Sequence, residues 1–261
     1  MVKYRTEYQD VVERFIADMF EQSGCDGVVI GYSGGLDSSV VAQLCKRVLG
    51  AEKVHLLFMP DKDQEGGLDA FPKEAGLECE EIAINPMIAG FGDIPGSLSK
   101  EELGNLKARL RMCILYAAAN ANNWLVVGTS NKSELAVGYF TKFGDGGSDI
   151  LPIGDLYKTQ VLEMAKDLDI PEYIINRPPS ADLYPGQEDE KELGMSYHEL
   201  DQVLQGIEFG LDDEEVVKNS DSSLETVARV RRLVRGSTHK RRRPPIPKLG
   251  VRTFGLDWRE Y

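Results

Sequence analysis

Residues 28–39 read VVIGYSGGLDSS, and this stretch decides the fold. Its first three residues form a uniformly apolar run, which is typical of a strand covered on both faces. An amphipathic helical pattern occupies 38–49, so a loop rich in glycine and serine joins a strand to a helix. Further apolar runs at 54–59, 82–84 and 125–127 alternate with helical patterns at 69–75 and 99–121. This alternation predicts an α/β fold in which a doubly wound, Rossmann-like parallel sheet carries helices on both faces.

The rest of the chain shows helical patterns and long loops. An amphipathic helix precedes residue 24, and the second half has helical patterns at 157–168, 196–205, 212–218 and 222–235 without a clear strand. Capping-box spacing marks three helix starts, at Ser99 with Glu102, Ser196 with Glu199, and Ser222 with Glu225. The loops at 143–155 and 176–190 are rich in glycine, proline and aspartate, and their length is typical of functional lids.

The charge balance limits the partners of the protein. The chain has 30 basic and 43 acidic residues and a formal net charge of −13, which argues against a general nucleic-acid binder. The short basic run at 239–243 is then better interpreted as a local anion site than as a nucleic-acid surface. No apolar stretch approaches the roughly 20 residues that cross a bilayer. These features predict a cytoplasmic protein with no membrane partner.

The length of 261 residues permits one large domain or two small ones. Because the chain contains no internal repeat and no linker-like segment, we expect a single domain over residues 1–261. The four cysteines form no CxxC pair, which fits neither a zinc site nor a redox couple. We expect Cys25, Cys45, Cys79 and Cys113 to be free and mostly buried thiols.

The loop at 31–39 carries groups suited to phosphate. Adjacent glycines allow the backbone to approach a ligand closely, and the exposed N–H groups at a helix start favour an anion. A carboxylate at Asp37 would repel phosphate unless Mg²⁺ lies between them, so the loop predicts a metal–pyrophosphate site. The alternative is an ordinary glycine-rich turn in which Asp37 caps the helix. The loop matches neither GxxxxGK[ST] nor GxGxxG, so P-loop hydrolysis and dinucleotide redox chemistry lose support.

This loop resembles the SGGxDS motif of the PP-loop ATP pyrophosphatases, whose sheet is of the adenine nucleotide alpha hydrolase type. Further segments are similar to the NAD synthetase family, which converts deamido-NAD⁺ to NAD⁺. They occur in the family order and cover most of the chain, at 104–112, 128–134, 138–149, 152–160, 179–183, 186–190 and 239–241.

The resemblance implies a ligase that forms a C–N bond, with Mg²⁺ as cofactor and ATP as co-substrate. In the implied reaction deamido-NAD⁺ is adenylated with release of diphosphate, and free ammonia then displaces AMP. No glutaminase domain is expected, and the family forms homodimers. By resemblance the ATP site comprises Gly31, Tyr32, Ser33, Gly34, Gly35, Leu36, Asp37, Ser38, Thr129, Lys158 and Ser180. Lys158 is also the implied catalytic residue, Asp37 and Glu134 hold the metal, and the deamido-NAD⁺ contacts are Arg109, Lys142, Asp149, His239 and Lys240.

Other interpretations of these residues remain open. Glu134 could simply favour a helix N-terminus, Lys158 could be a surface lysine, and Ser180 could form a turn. The chain could instead be another PP-loop enzyme, such as a tRNA-modifying ligase or a sulfurtransferase, or a nucleotide sensor without catalysis. Tyr32 occupies a position that is commonly small or aliphatic in relatives, and 60–72 matches the family poorly, so roles in that second loop are not carried over.

Overall fold

A computed structural model of the chain describes residues 2–61, 70–91, 98–180, 184 and 186–251. Its sheet consists of β1 (Gly27–Tyr32), β2 (Val54–Phe58), β3 (Glu78–Glu81) and β4 (Trp124–Val127). The strand order is β3-β2-β1-β4 and every pairing is parallel. The parallel α/β prediction is therefore confirmed. The order reverses between β1 and β4, which is where doubly wound sheets open a ligand crevice.

Helices surround the sheet and continue through the second half of the chain. In order they are α1 (Glu7–Ser23), α2 (Leu36–Leu49), α3 (Phe71–Glu74), α4 (Asn85–Ala89), α5 (Lys100–Asn122), α6 (Lys132–Val137), α7 (Lys158–Asp167), α8 (Glu172–Ile175), α9 (Asp189–Leu193), α10 (Tyr197–Glu208), α11 (Asp213–Asn219), α12 (Leu224–Gly236) and α13 (Thr238–Arg241). A 3₁₀ turn, Ala51–Lys53, precedes β2.

The two faces of the sheet bury different helices. Alternate residues of β1 point in opposite directions, so Val28 and Ile30 join one core with α1, α2 and α7. Val29 joins a second core, in which α5 packs against the sheet. This arrangement confirms the prediction of helices on both faces. A third core lies away from the sheet and is formed by apolar side chains of α6, α10, α11 and α12.

Most predicted elements are confirmed within a few residues, but the predicted strand at 82–84 is wrong. The edge strand is β3, whose acidic residues are largely exposed and so lack the apolar pattern of a buried strand. The apolar residues that follow it leave the sheet. Their backbone still pairs with the neighbouring segment, since Ile82 N–H donates to the Phe58 carbonyl at 2.8 Å, and the Ile84 side chain is fully buried.

The helix starts show which capping predictions hold. Ser99 and Glu102 form the expected capping box at the start of α5. Ser196 accepts a hydrogen bond from Glu199 N–H at 3.2 Å, so it caps α10. The box at Ser222 is wrong because that side chain is buried, and Ser223 caps α12 instead. The weak helix at 69–75 is the four-residue α3, and residue 69 lies outside the described residues.

The remaining expectations concern the second half of the chain and the cysteines. Within the described residues, the second half contributes no strand to the sheet, and only a bridge between Ile150 and Val127 extends it. The cysteines are free, but only Cys45 is buried, so the expectation that most are buried is wrong. No helix in the described ranges is long and apolar enough to cross a membrane.

Candidate active site

A crevice of about 1090 Å³ opens at the carboxyl ends of β1 and β4. The loop after β1 forms one side of it and the segment after β4 forms the other, as expected at the reversal of strand order. The predicted ATP residues that line it are Gly31, Tyr32, Ser33, Gly35, Leu36, Asp37, Ser38, Thr129, Lys158 and Ser180. The proposed metal ligand Glu134 lines it as well. The fold therefore brings together residues from four separate segments of the chain.

The loop after β1 is shaped by glycines and hydroxyls. Gly34 has a φ of +79°, a left-handed conformation that disfavours a side chain. Gly35 is the N-cap of α2, and its carbonyl accepts hydrogen bonds from the hydroxyls of Ser38 at 3.0 Å and Ser39 at 2.9 Å. The Ser33 hydroxyl accepts from Gly35 N–H at 3.2 Å. These bonds hold the loop open beside a helix N-terminus, where N–H groups favour an anion.

Two carboxylates and one ammonium meet beside this loop. Lys158 is the first residue of α7, and its Nζ donates a hydrogen bond to Asp37 Oδ2. The same Nζ lies 3.6 Å from Glu134 Oε1. All three side chains are largely buried, with between 11% and 17% of their surface exposed. The ammonium therefore stands between the two carboxylates.

The buried amide of Asn131 links the two acidic residues. Its Nδ2 donates to Asp37 Oδ1 at 3.3 Å, while its Oδ1 accepts from Glu134 N–H at 3.0 Å. Asn131 is thus the N-cap of α6, and it also contacts the glycine-rich loop at 31–39, here called the phosphate loop after its predicted ligand. This side chain fixes the start of α6 relative to the loop that carries Asp37.

Burial and mutual repulsion set the protonation of this cluster. Burial, followed by the neighbouring carboxylate of Asp37, raises the pKa of Glu134 to about 8, and the Lys158 ammonium only partly opposes that rise. Burial alone would lower the pKa of Lys158, but the carboxylates of Asp37 and Glu134 outweigh burial and raise it. A second negative charge beside the Asp37 carboxylate is therefore unfavourable, and Glu134 mostly keeps its proton at neutral pH.

The donor set fits Mg²⁺ that is shared with a phosphate ligand. The described part of the chain contains no group of three or more His, Cys, Asp or Glu side chains that could hold a metal alone. Mg²⁺ is commonly held by one or two carboxylates together with substrate phosphates and water. Asp37 and Glu134 provide two such carboxylates, and they already converge on a cation, the ammonium of Lys158.

The residues predicted to contact deamido-NAD⁺ lie mostly outside this crevice. Lys240 lines it, and its Nζ donates to the carbonyls of Gly138 and Phe140, both at 2.7 Å. Burial lowers the pKa of Lys240. The other four do not line it and are Arg109, Lys142, Asp149 and His239.

Those four residues have contacts or exposure of their own. Arg109 Nε donates to the Lys142 carbonyl at 3.3 Å, which joins two of them. Asp149 accepts from the Tyr116 hydroxyl at 3.0 Å and from Val126 N–H at 2.9 Å, so its carboxylate anchors the end of β4. His239 is exposed on the short helix α13.

Tyr32, which the resemblance places in the ATP site, has a side chain that packs inside the protein. Its ring is 2% exposed and stacks on Phe71, with 5.9 Å between the ring centroids and 18° between their planes. The ring belongs to the core that covers one face of the sheet. Tyr32 lines the crevice, and its ring packs in the core.

Sequence reasoning assigned no role to several side chains that line the crevice. Arg177 Nη1 donates to the carbonyl of Gly34 in the phosphate loop at 3.3 Å. The Tyr139 hydroxyl lies 3.0 Å from Asp189 Oδ1 and 2.5 Å from Glu192 Oε2, and its one proton is donated to one of these carboxylates. Tyr139 and Asp189 lie in the segments 138–149 and 186–190, which resemble the family. That resemblance could have identified them as candidate site residues. Arg177 lies just before the segment at 179–183 and carried no such signal.

The chain is similar to known proteins over most of its length. The family model described as NAD synthase matches residues 8–244. An NH(3)-dependent NAD(+) synthetase of Archaeoglobus fulgidus is 46% identical over 253 residues, which cover 93% of this chain and 98% of that protein. Among solved structures, an NMN synthetase from Francisella tularensis has a TM-score of 0.82 at 34% identity, and an NH3-dependent NAD synthetase from Campylobacter jejuni in complex with the nitrate ion has a TM-score of 0.78 at 30% identity. Each structural match covers 93% of this chain and 98% of the other.

Proposed function

Because the chain belongs to the NAD synthase family, we propose that the crevice between β1 and β4 is where it amidates deamido-NAD⁺ to NAD⁺. The chain is an ammonia-dependent ligase that forms a C–N bond and uses ATP as a substrate. The observation that carries the proposed site is the position of the Lys158 ammonium between the carboxylates of Asp37 and Glu134, beside the phosphate loop. We place the triphosphate of ATP along that loop.

The proposed reaction has two steps. The nicotinate carboxylate of deamido-NAD⁺ attacks the α-phosphorus of ATP, which forms an acyl adenylate and releases diphosphate. Ammonia then attacks the acyl carbon, the bond from that carbon to the AMP oxygen breaks, and the nitrogen loses a proton to give the amide. Neither step requires a side-chain nucleophile, so the chain contributes positioning and charge.

The side chains of the crevice divide these tasks. The N–H groups at the start of α2 bind phosphate oxygens, and the glycines allow the backbone to approach them. Lys158 balances the negative charge that develops on the departing diphosphate, a role suited to its buried position and raised pKa. Asp37 and Glu134 would hold Mg²⁺, which supplies Lewis-acid polarisation of the phosphoryl oxygens when bound.

We also infer that two copies of the chain form a homodimer and that the partner copy completes the dinucleotide site. The family resemblance supports this inference. So does the position of Arg109, Lys142, Asp149 and His239 outside the crevice that holds the proposed ATP residues. Size-exclusion chromatography with light scattering should give twice the chain mass of 29.0 kDa. A monomer under conditions of full activity would refute the dimer.

Mass spectrometry of the reaction products tests the proposed chemistry. The protein with ATP, Mg²⁺, deamido-NAD⁺ and ammonium should yield NAD⁺, AMP and diphosphate in equal amounts. Formation of ADP in place of AMP would exclude attack at the α-phosphorus. We further propose that residues 1–261 act as one domain that takes free ammonia, so glutamine should not replace ammonium.

The Francisella tularensis structure suggests a second candidate function. That protein is an NMN synthetase by name, and the second candidate is therefore the amidation of nicotinate mononucleotide by this chain. A competition between the two acceptors at equal concentration decides the question. We expect NAD⁺ as the main product, because the relatives with the higher identity are NAD(+) synthetases, and a predominance of NMN would favour the second function.

A further inference from the structure

Asp201 is a fully buried carboxylate that no motif singled out. It lies on α10, its side chain has no exposed surface, and it does not line the crevice. Its Oδ1 accepts a hydrogen bond from the Ser133 hydroxyl. Its Oδ2 accepts two, from Thr159 N–H at 2.9 Å and from the Thr159 hydroxyl at 2.7 Å. A buried carboxylate is costly unless its oxygens are satisfied, and here three donors satisfy them.

Both partners of Asp201 are neighbours in sequence of the proposed site residues. Ser133 directly precedes Glu134 on α6, and Thr159 directly follows Lys158 on α7. The Ser133 hydroxyl also accepts from Lys158 N–H at 2.9 Å. Asp201 and Ser133 together therefore satisfy the first two N–H groups of α7, groups that have no partner within their own helix. A single carboxylate on α10 thus ties the start of α6 to the start of α7.

We propose that Asp201 is a positioning residue that sets the distance and orientation between the Glu134 carboxylate and the Lys158 ammonium. The proposal rests on the roles assigned above to Glu134 and Lys158. α6 has six residues, which is too short to be stable as an isolated helix, so its position depends on tertiary contacts such as this one. Some residues orient metal-binding side chains without contacting the metal themselves. Removal of such a residue typically lowers metal affinity or activity 10- to 100-fold.

When ionised, the Asp201 carboxylate also attracts the N-terminus of α7 electrostatically, in addition to accepting its hydrogen bonds. The N-terminus of α7 carries the positive end of the helix dipole, and a carboxylate there is favourable. Burial raises the pKa of Asp201, and the bonds from Ser133 and Thr159 and the charge of Lys158, which favour the ionised carboxylate, oppose that rise only in part. An uncharged residue of similar size would keep part of the geometry and lose this attraction.

The test uses Asp201→Ala, Asp201→Asn and Ser133→Ala in the full chain. The measurements are the Mg²⁺ concentration that gives half-maximal NAD⁺ formation, and the calorimetric affinity for Mg²⁺ with a non-hydrolysable ATP analogue. We expect Asp201→Ala to weaken both by about 10- to 100-fold, and Asp201→Asn to restore part of the loss. The double variant Asp201→Ala with Ser133→Ala should lose less than the product of the single losses, because the two residues act as one unit.

The matched control is Gln202→Ala. Gln202 is the next residue on α10 and is also buried. Its side chain accepts from Asp221 N–H at 2.9 Å, and its Nε2 lies 2.7 Å from His198 Nε2, so neither hydrogen bond reaches α6 or α7. This variant should lower the thermal unfolding midpoint and leave the Mg²⁺ dependence unchanged. If Asp201→Ala does the same, with both Mg²⁺ measurements within twofold of the parent, Asp201 is only structural and the proposal is overturned. If Asp201→Ala fails to fold, Ser133→Ala, which deletes one hydroxyl, decides the matter by the same criterion.

A separate variant distinguishes failure of this proposal from failure of the proposed function. Glu134→Gln removes the proposed metal ligand itself and leaves Asp201 with all its partners. If Glu134→Gln does not alter the Mg²⁺ dependence, the assignment of the metal site is wrong. If Glu134→Gln weakens Mg²⁺ binding and the Asp201 variants do not, the metal site stands and the positioning role is refuted.

Discussion

Raising the pH from 7 to 9 should tighten Mg²⁺ binding in the presence of an ATP analogue about tenfold. The reason is Glu134, whose pKa is raised to about 8 by burial and by the Asp37 carboxylate. A group with this pKa is protonated in about nine molecules of ten at pH 7 and in about one of ten at pH 9. Because the metal binds the ionised carboxylate, the fraction competent to bind rises about tenfold, which corresponds to about 1.4 kcal/mol.

Isothermal titration calorimetry in two buffers of different ionisation enthalpy measures both the affinity and the protons released. At pH 7 binding should release about 0.9 protons per site, and at pH 9 about 0.1. The phosphate groups of the analogue can also release protons when Mg²⁺ binds, so the same titration of the free analogue is measured and subtracted. Lys158 stays protonated because its own pKa is raised. The predicted pH dependence therefore belongs to Glu134.

Glu134→Gln provides the control, because an amide does not titrate. The variant should bind Mg²⁺ more weakly at every pH and show no rise between pH 7 and pH 9. An affinity in the parent protein that stays constant over this range, without proton release, would refute the reasoning. A rise that persists unchanged in Glu134→Gln would assign the titration to another group.

Three further outcomes are expected. Lys158→Met should lower the kcat of NAD⁺ formation by about 10²- to 10³-fold, because it removes a buried positive charge from the developing diphosphate, and a loss below tenfold in the kinetic assay would count against that role. Tyr32→Ala should lower the free energy of unfolding in urea by about 3 kcal/mol through loss of its packing on Phe71, with KM for ATP within twofold, and a large rise in KM would mean that the ring contacts the nucleotide. Lys107→Met should cost about 3 kcal/mol in the same urea measurement because Asp61, which Lys107 contacts at 2.6 Å, loses its buried cation, and a change below 1 kcal/mol would contradict this.

The sequence predicted the strands with buried side chains better than the exposed strand β3, which lies at one edge of the sheet. Three of the four strands have both faces covered, and their apolar runs mark them within a residue or two. The edge strand β3 reads ECEE, because its exposed side chains are free to be acidic. The strand was instead predicted at the apolar residues 82–84, because Ile84 is buried although it lies outside the sheet. An apolar run in the sequence indicates that its side chains are buried. It does not show whether the backbone of those residues forms a strand.

The candidate site was predictable to the extent that its chemistry is local. The glycine loop and the lysine at a helix N-terminus are both visible within a few residues. The pairing of Asp37 with Lys158 joins residues 121 positions apart, and spacing along the chain carries no sign of it. Asp201 is harder still, because an acidic residue in an amphipathic helix normally faces water. Only the fold shows that this one faces inward and meets Ser133 and Thr159.

The pairing of Asp37 with Lys158 also fixes an order of events during protein synthesis. The glycine loop leaves the ribosome first, and at 5–20 residues per second Lys158 follows roughly 6 to 24 s later. Until then Asp37 has no ammonium beside it, and α7 and α10 do not yet exist to order the start of α6. A growing chain therefore exposes the glycine loop, the proposed phosphate-binding segment, before the groups proposed to act with it are present. The proposed site is complete only when the second half of the chain packs against the first.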